Sequence, residues 1–188
     1  MSSAVVPAAG SATRFGGGKV LALVDGVSLL QRVLSTLLDA GVSDIVVVAP
    51  PGAEWGSRVA LLADARVRIE TNPDPSREMF SSIQIGLRAA AHAPIAVLPG
   101  DMPFVKSETV RALLELAHRT NALVSPRLDG RRGHPLIIPG DLRDAILAAP
   151  DDSKLNEVLA PHKTRVLNLD VHDRGVVRDV DVVEDLVG

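Results

Sequence analysis

The sequence predicts an α/β fold with a mostly parallel sheet, and two features carry that prediction. Seven short apolar runs, rich in valine and isoleucine, lack the polar alternation of a one-sided strand and read as strands buried on both faces. Between several of them, leucine and alanine recur at helical spacing, so the connections read as helices covering both faces of the sheet. At 188 residues, 46% of them hydrophobic, the chain is long enough to bury a substantial core. No repeat, low-complexity linker or composition break divides it, so residues 1–188 are expected to form one domain.

The strands are expected at Ala4–Val6, Ile45–Ala49, Val67–Glu70, Ile95–Leu98, Leu123–Ser125, Leu136–Ile138 and Arg165–Leu169. Leu29, Leu30, Val33, Leu34, Leu37 and Leu38 form a helical stripe, with Gly41 as its C-terminal stop. Ser107 is positioned to N-cap a second helix, whose stripe is Val110, Leu113, Leu114 and Ala117. Shorter helices are expected around Ser82–Ala91, Leu142–Ala148 and Lys154–Leu159.

Composition then narrows the function. With one Trp, no Tyr and three Phe, the chain lacks the stacking platforms of single-strand nucleic-acid binders, and a net charge of −3 offers no basic face. Nucleic acid is therefore not an expected partner. The absence of cysteine removes disulfides, thiolate metal sites and a cysteine nucleophile, and suits a reducing compartment. The N-terminus has no signal-peptide pattern, and no apolar run reaches the ~20 residues that span a bilayer. A soluble, cytoplasmic protein without a membrane partner is expected.

In open α/β sheets, ligands bind where loops leave the carboxyl ends of the strands. Ala8, Ala9, Gly10, Ser11, Thr13, Arg14 and Lys19 follow the first strand, Asn72 follows the third with Ser81 and Ser82 beyond it, and Pro99-Gly100-Asp101 follows the fourth. Backbone donors, two fixed cations, small hydroxyls and a carboxylate make up the inventory of a nucleotide–metal site. Small residues let the backbone approach a ligand, and their N–H groups can cradle phosphate. The loop is neither a Walker A motif, since Thr13 and Val20 stand where Gly and Ser/Thr belong, nor a G-x-G-x-x-G dinucleotide fingerprint.

The stretch from Pro7 to Gly16, PAAGSATRFG, with Lys19 beyond it, resembles the first loop of the MobA/MocA-type nucleotidyltransferases, (L/P)AAGxSxRxGxxK. Four further segments resemble that family in the same order: NPDPSREMFSSIQIGL at 72–87, PGDMP at 99–103, GHP at 133–135 and DVDVVEDL at 179–186. The resemblance implies a three-layer α/β/α, Rossmann-like (GT-A-like) domain. It implies that Ala8, Ala9, Gly10, Ser11, Asn72, Ser81, Ser82, Pro99 and Gly100 line the nucleotide pocket. Arg14 and Lys19 would bind the triphosphate, and Asp101 would hold Mg²⁺ together with Asp181. Gly133 and His134 would face the acceptor.

The implied reaction is Mg²⁺-dependent, in-line attack by a phosphorylated acceptor on the α-phosphorus of an NTP, with Arg14, Lys19 and Asp101 as the catalytic groups. A phosphate nucleophile is already ionised near neutral pH, so positioning and charge stabilisation suffice. Ala9 aligns the chain with the CTP-using branch and molybdopterin as acceptor; GTP marks the sister branch. A molybdoenzyme or its chaperone would then receive the product. Val182-Val183 in place of Thr-Pro, and the absence of a GDxGAR-like element, keep a sugar phosphate or methylerythritol phosphate open as acceptor. A non-catalytic nucleotide-binding regulator on the same fold is the alternative of another class.

Asp179 and Asp181 alternate with valines and would share one face of a strand, so either could be the second metal ligand. His92, His118, His162 and His172 lack metal-ligand spacing and read as surface residues, and Trp55 lies in a polar loop without an assignable role.

Overall fold

The structure, a computed structural model, describes residues 1–9, 18–76 and 78–180. Gly10, Ser11, Arg14 and Asp181 lie outside the described residues.

The main sheet runs β10-β7-β9-β6-β1-β4-β5 across its width. Its strands are β1 (Ser3–Pro7), β4 (Asp44–Ala49), β5 (Val67–Thr71), β6 (Ile95–Val97), β7 (Leu123–Leu128), β9 (Leu136–Ile138) and β10 (Val166–Asp170). β1 pairs in parallel with both β4 and β6, as do β4 with β5 and β7 with β10. β9 runs antiparallel between β6 and β7, so the sheet is mixed but mostly parallel.

Strand alternation sorts the side chains into two cores. Ala4, Val6, Ile45, Val47, Ala96 and Leu98 face one side, where they pack with the stripes of α1 (Leu29–Asp39) and α3 (Ser107–Thr120). Val5, Val46, Val48, Ile95 and Val97 face the other, against α2 (Glu78–Ala89), α4 (Arg143–Ala148) and α5 (Leu155–Leu159). The result is the expected three-layer α/β/α arrangement. Leu30, Val33, Leu34 and Leu37 are all 0% exposed, and truncating any such leucine costs ~2–5 kcal/mol.

Local chemistry fixes the element ends. Ser28 caps α1, its side chain accepting from Gln31 N, and Gly41, at φ +88°, ends it while Val42 N bonds back to Leu37 O. Helix α2 passes so near the sheet that a Cβ at Gly86 would overlap the side chain of Val5, which is why a glycine sits mid-helix.

Three expectations change. Ser107 is the first residue of α3, not its cap; the N-cap is Lys106, whose own side chain caps nothing. The carboxylate of Asp173 supplies the missing acceptor, taking bonds from Lys106 N and Thr109 Oγ1. Residues 178–180 form no strand, although Asp179 is exposed and Val180 buried as alternation requires. Trp55 lies in a loop as expected, yet its side chain is buried in the α1/α3 core, which gives it a packing role. Two hairpins escaped notice: β2 (Leu23–Val24) with β3 (Val27–Ser28), and β7 with β8 (Arg131–Arg132). Among the described residues, no helix is long and apolar enough to cross a membrane.

Candidate functional site

The strand order places the site. From β1 the chain crosses to β4 on one side, and β6 lies on the other, so a crevice opens at the carboxyl ends of β1 and β6. The two loops that leave there are joined through the main chain. Leu98 N donates to Val5 O, Gly100 N donates to Pro7 O at 3.0 Å, and Ala8 N donates to Val48 O on the far side. Gly100 has little room for a side chain: a Cβ would lie 3.2 Å from Val20 Cγ1 and 3.4 Å from both Pro7 O and Ala8 Cβ. Ala8, Ala9, Pro99 and Gly100 are accordingly buried, forming a small-residue floor.

Over that floor, Lys19 Nζ donates to Asp101 Oδ2 at 2.8 Å, with side chains 15% and 25% exposed. Lys19 opens a short 3₁₀ turn, Lys19–Leu21, anchored by the buried Val20. The turn after β6 holds Asp101 in place, with Met102 N bonded to Pro99 O.

A strap that the sequence did not reveal runs from Asp173 to Val180. Asp173, 3% exposed, also accepts from Gly175 N at 2.9 Å. Gly175 lies against the Phe104 carbonyl, and Gly133 against that of Val176; neither position leaves space for a Cβ. His134 N donates to Val176 O at 2.8 Å, the Arg178 guanidinium sits 4.0 Å above the Phe104 ring, and Val180 N donates to Asp101 O at 3.0 Å. The strap thus ties the GHP loop and the Asp101 turn to the start of α3. No local spacing announces it, because the capping carboxylate of Asp173 lies 64 residues from Thr109.

His134 is half-buried, and burial pushes its imidazole below the ordinary value, while the carboxylates of Asp101 and Asp179 pull it back up. All three side chains therefore share one electrostatic neighbourhood. Among the described residues, no group of three or more His, Asp or Glu side chains is placed to hold a metal.

Asn72, Ser81 and Ser82 come together in a second cluster, at the junction of β5 and α2. The Asn72 amide donates to Ser81 Oγ at 3.0 Å and Ser82 Oγ at 2.9 Å, and its carbonyl accepts from Asp74 N. All three are buried, so their side chains fix the loop to the helix. The same end of α2 borders a 460 Å³ cavity through Met79 and Phe80, and Gly133 and His134 line it as well. Ala8, Ala9, Lys19, Pro99, Gly100, Asp101 and His134 thus gather at one sheet end, with Asn72, Ser81 and Ser82 bracing the neighbouring helix.

Residues 4–166 match the MobA-like NTP transferase domain. The chain is 33% identical to nicotine blue oxidoreductase of Paenarthrobacter nicotinovorans, over 97% of this chain and 93% of that protein. It is 31% identical to the 2-C-methyl-D-erythritol 4-phosphate cytidylyltransferase of Streptomyces avermitilis, over 85% of this chain and 68% of that one. Among solved structures, a nucleotidyl transferase from Methanothermobacter thermautotroptrophicus superposes with a TM-score of 0.76 at 24% identity, covering 98% of this chain and 94% of that chain. With a crevice at the β1/β6 switch point, a lysine–aspartate pair across it and this match along most of its length, the chain belongs to the MobA-like NTP transferase domain family.

Proposed function

We propose that the protein is a nucleotidyltransferase that moves an NMP, CMP first, from an NTP to a phosphorylated small molecule. The observation that carries this reading is the Lys19–Asp101 contact, a cation and a carboxylate brought from two loops to the switch-point crevice. The small-residue floor of Ala8, Ala9, Pro99 and Gly100 gives a nucleotide close access to backbone, and Lys19 gives its phosphates a fixed charge. Arg14, with Gly10 and Ser11, completes the triphosphate cradle in this reading.

The donor set suits Mg²⁺. A hard cation is commonly held by one or two carboxylates and the substrate's own phosphate oxygens, without a dedicated cage. Asp101 would supply the first carboxylate, and Asp179 on the strap or Asp181 just beyond it would supply the second. When bound, the ion neutralises charge on the phosphates. In the transfer, an oxygen of the acceptor's phosphate bonds to the α-phosphorus. The bond from that phosphorus to the α–β bridging oxygen breaks, and pyrophosphate leaves with the electron pair. Lys19 and Arg14 hold the phosphates in line while Asp101 fixes the crevice floor. Molybdopterin is the first acceptor to test, with a molybdoenzyme or its chaperone as recipient of the product.

One relative favours a second reading. Its name, nicotine blue oxidoreductase, denotes redox chemistry at 33% identity over nearly the full length of both chains. A single panel separates the two readings. Thermal shifts with CTP, GTP, ATP and UTP, each with and without Mg²⁺, are followed by pyrophosphate release with molybdopterin. A Mg²⁺-dependent shift with CTP and stoichiometric pyrophosphate release support transfer. No shift with any NTP, together with reduction of a redox dye by an added electron donor, would replace it with the redox reading.

A further inference from the structure

The cavity beside the crevice has a composition that selects among acceptors. Its 460 Å³ lies within the usual range for a small-molecule site, ~300–1,000 Å³. Ten of its eighteen described lining residues are apolar, among them Met79, Phe80 and Ile83 of α2 and Leu155 and Leu159 of α5. Arg132, Lys154 and Lys163 also line it, all three exposed, and among the described residues no acidic side chain does. Uncharged hydrogen-bonding side chains among the described residues are few: Ser125, His134, Ser153 and Asn156. The Ser125 hydroxyl is already directed at main-chain oxygens, those of Pro126 and Gly133. His134 belongs to the cavity wall and also to the neighbourhood of Asp101 and Asp179, so the cavity adjoins the crevice.

We infer that this cavity seats the acceptor, and that the acceptor is an organic anion with a largely apolar body, not a polyol phosphate. The inference rests on the nucleotidyltransferase reading for the word acceptor; the chemistry of the ligand follows from the cavity alone. A polyol phosphate would bring several hydroxyls into a wall that offers them few partners, and each unpaired hydroxyl loses its water without replacement. A ring system loses nothing there and gains by leaving water. The three cations draw the anionic group to the rim.

The test is direct binding, by calorimetry without nucleotide, of 1-naphthyl phosphate, 1-naphthol and glycerol 3-phosphate. Naphthyl phosphate should bind at least about tenfold tighter than either of the others, since only it satisfies both the apolar wall and the cationic rim. The double variant Lys154→Glu/Lys163→Glu, at exposed positions, should weaken it by about tenfold or more, and so should Met79→Asp, at a side chain 47% exposed. Glycerol 3-phosphate binding as tightly as naphthyl phosphate would overturn the inference, and so would affinity unchanged in both variants. The CTP shift is read on the same samples and should survive in the double variant. Its absence in the wild-type protein would remove the nucleotidyltransferase reading while the ring-anion preference stands or falls on its own.

Discussion

Lys19 and Asp101, 82 residues apart in the chain, meet at 2.8 Å, and the pair reports on two properties at once. The lysine competes with a cation for the carboxylate, yet in the proposed reaction both groups serve the phosphates. Lys19→Ala should therefore tighten Mg²⁺ binding to the nucleotide-free protein while turnover falls by about 10²–10³. Asp101→Asn keeps the main-chain oxygen that Val180 uses and should lose both Mg²⁺ binding and turnover. Calorimetry with Mg²⁺ and a pyrophosphate-release assay check the pair. A Lys19→Ala protein that binds Mg²⁺ more weakly would remove the competition from the account.

Asp173 is the fixed end of the strap. Asp173→Ala would leave Lys106 N, Gly175 N and the Thr109 hydroxyl without their acceptor in a buried place, at a cost of ~2–4 kcal/mol. For a chain of this size that is a fall in Tm of about 5–15 °C. Thr109→Val removes one bond only and should cost about a third as much. Equal losses in the two variants would show that the hydroxyl, not the main-chain donors, dominates.

The layers of this fold were legible because they depend on local pattern: apolar runs such as Ile45–Ala49 and the stripe Leu30–Leu37 carry their period within a dozen residues. The two hairpins are legible as well, in their turn residues. Asp25-Gly26 and Asp129-Gly130 both adopt positive φ, the turn that Asp-Gly favours. Lys19 and Asp101 were predictable as neighbours because both follow strands that end at the switch point. The cap of α3 was not, because a local serine and a distant aspartate are equally good acceptors and only tertiary structure chooses between them. Nor was the cavity, whose walls come from residues 79 to 166 and share no spacing.

Gly86 is a test of layer spacing. Gly86→Ala would ordinarily favour a helix, yet here the added methyl must displace Val5 in the central strand, and a net loss of ~1–3 kcal/mol is expected. Val5→Ala alone should also destabilise, by opening a cavity. The double variant should be more stable than the sum of the two losses, because each change makes room for the other. Denaturant melts of the four proteins close the cycle, and strict additivity would mean that α2 moves away instead of pressing on Val5.

His134 should make stability depend on pH in a predictable direction. Burial lowers its pKa in the folded protein, so between the folded value and the unfolded value of ~6.5 the unfolded chain binds the extra proton. Stability from this group is therefore complete above about pH 6.5 and declines as the pH falls through that window. His134→Gln removes the proton site, so the difference in Tm between variant and wild type should shift in the variant's favour between about pH 7.5 and pH 5. Asp101 and Asp179 oppose the effect of burial, so Asp101→Asn should deepen the acid-side loss in a protein that keeps the histidine. A wild-type protein that gains stability over His134→Gln on acidification would instead mean that the two carboxylates outweigh burial and hold the imidazole charged.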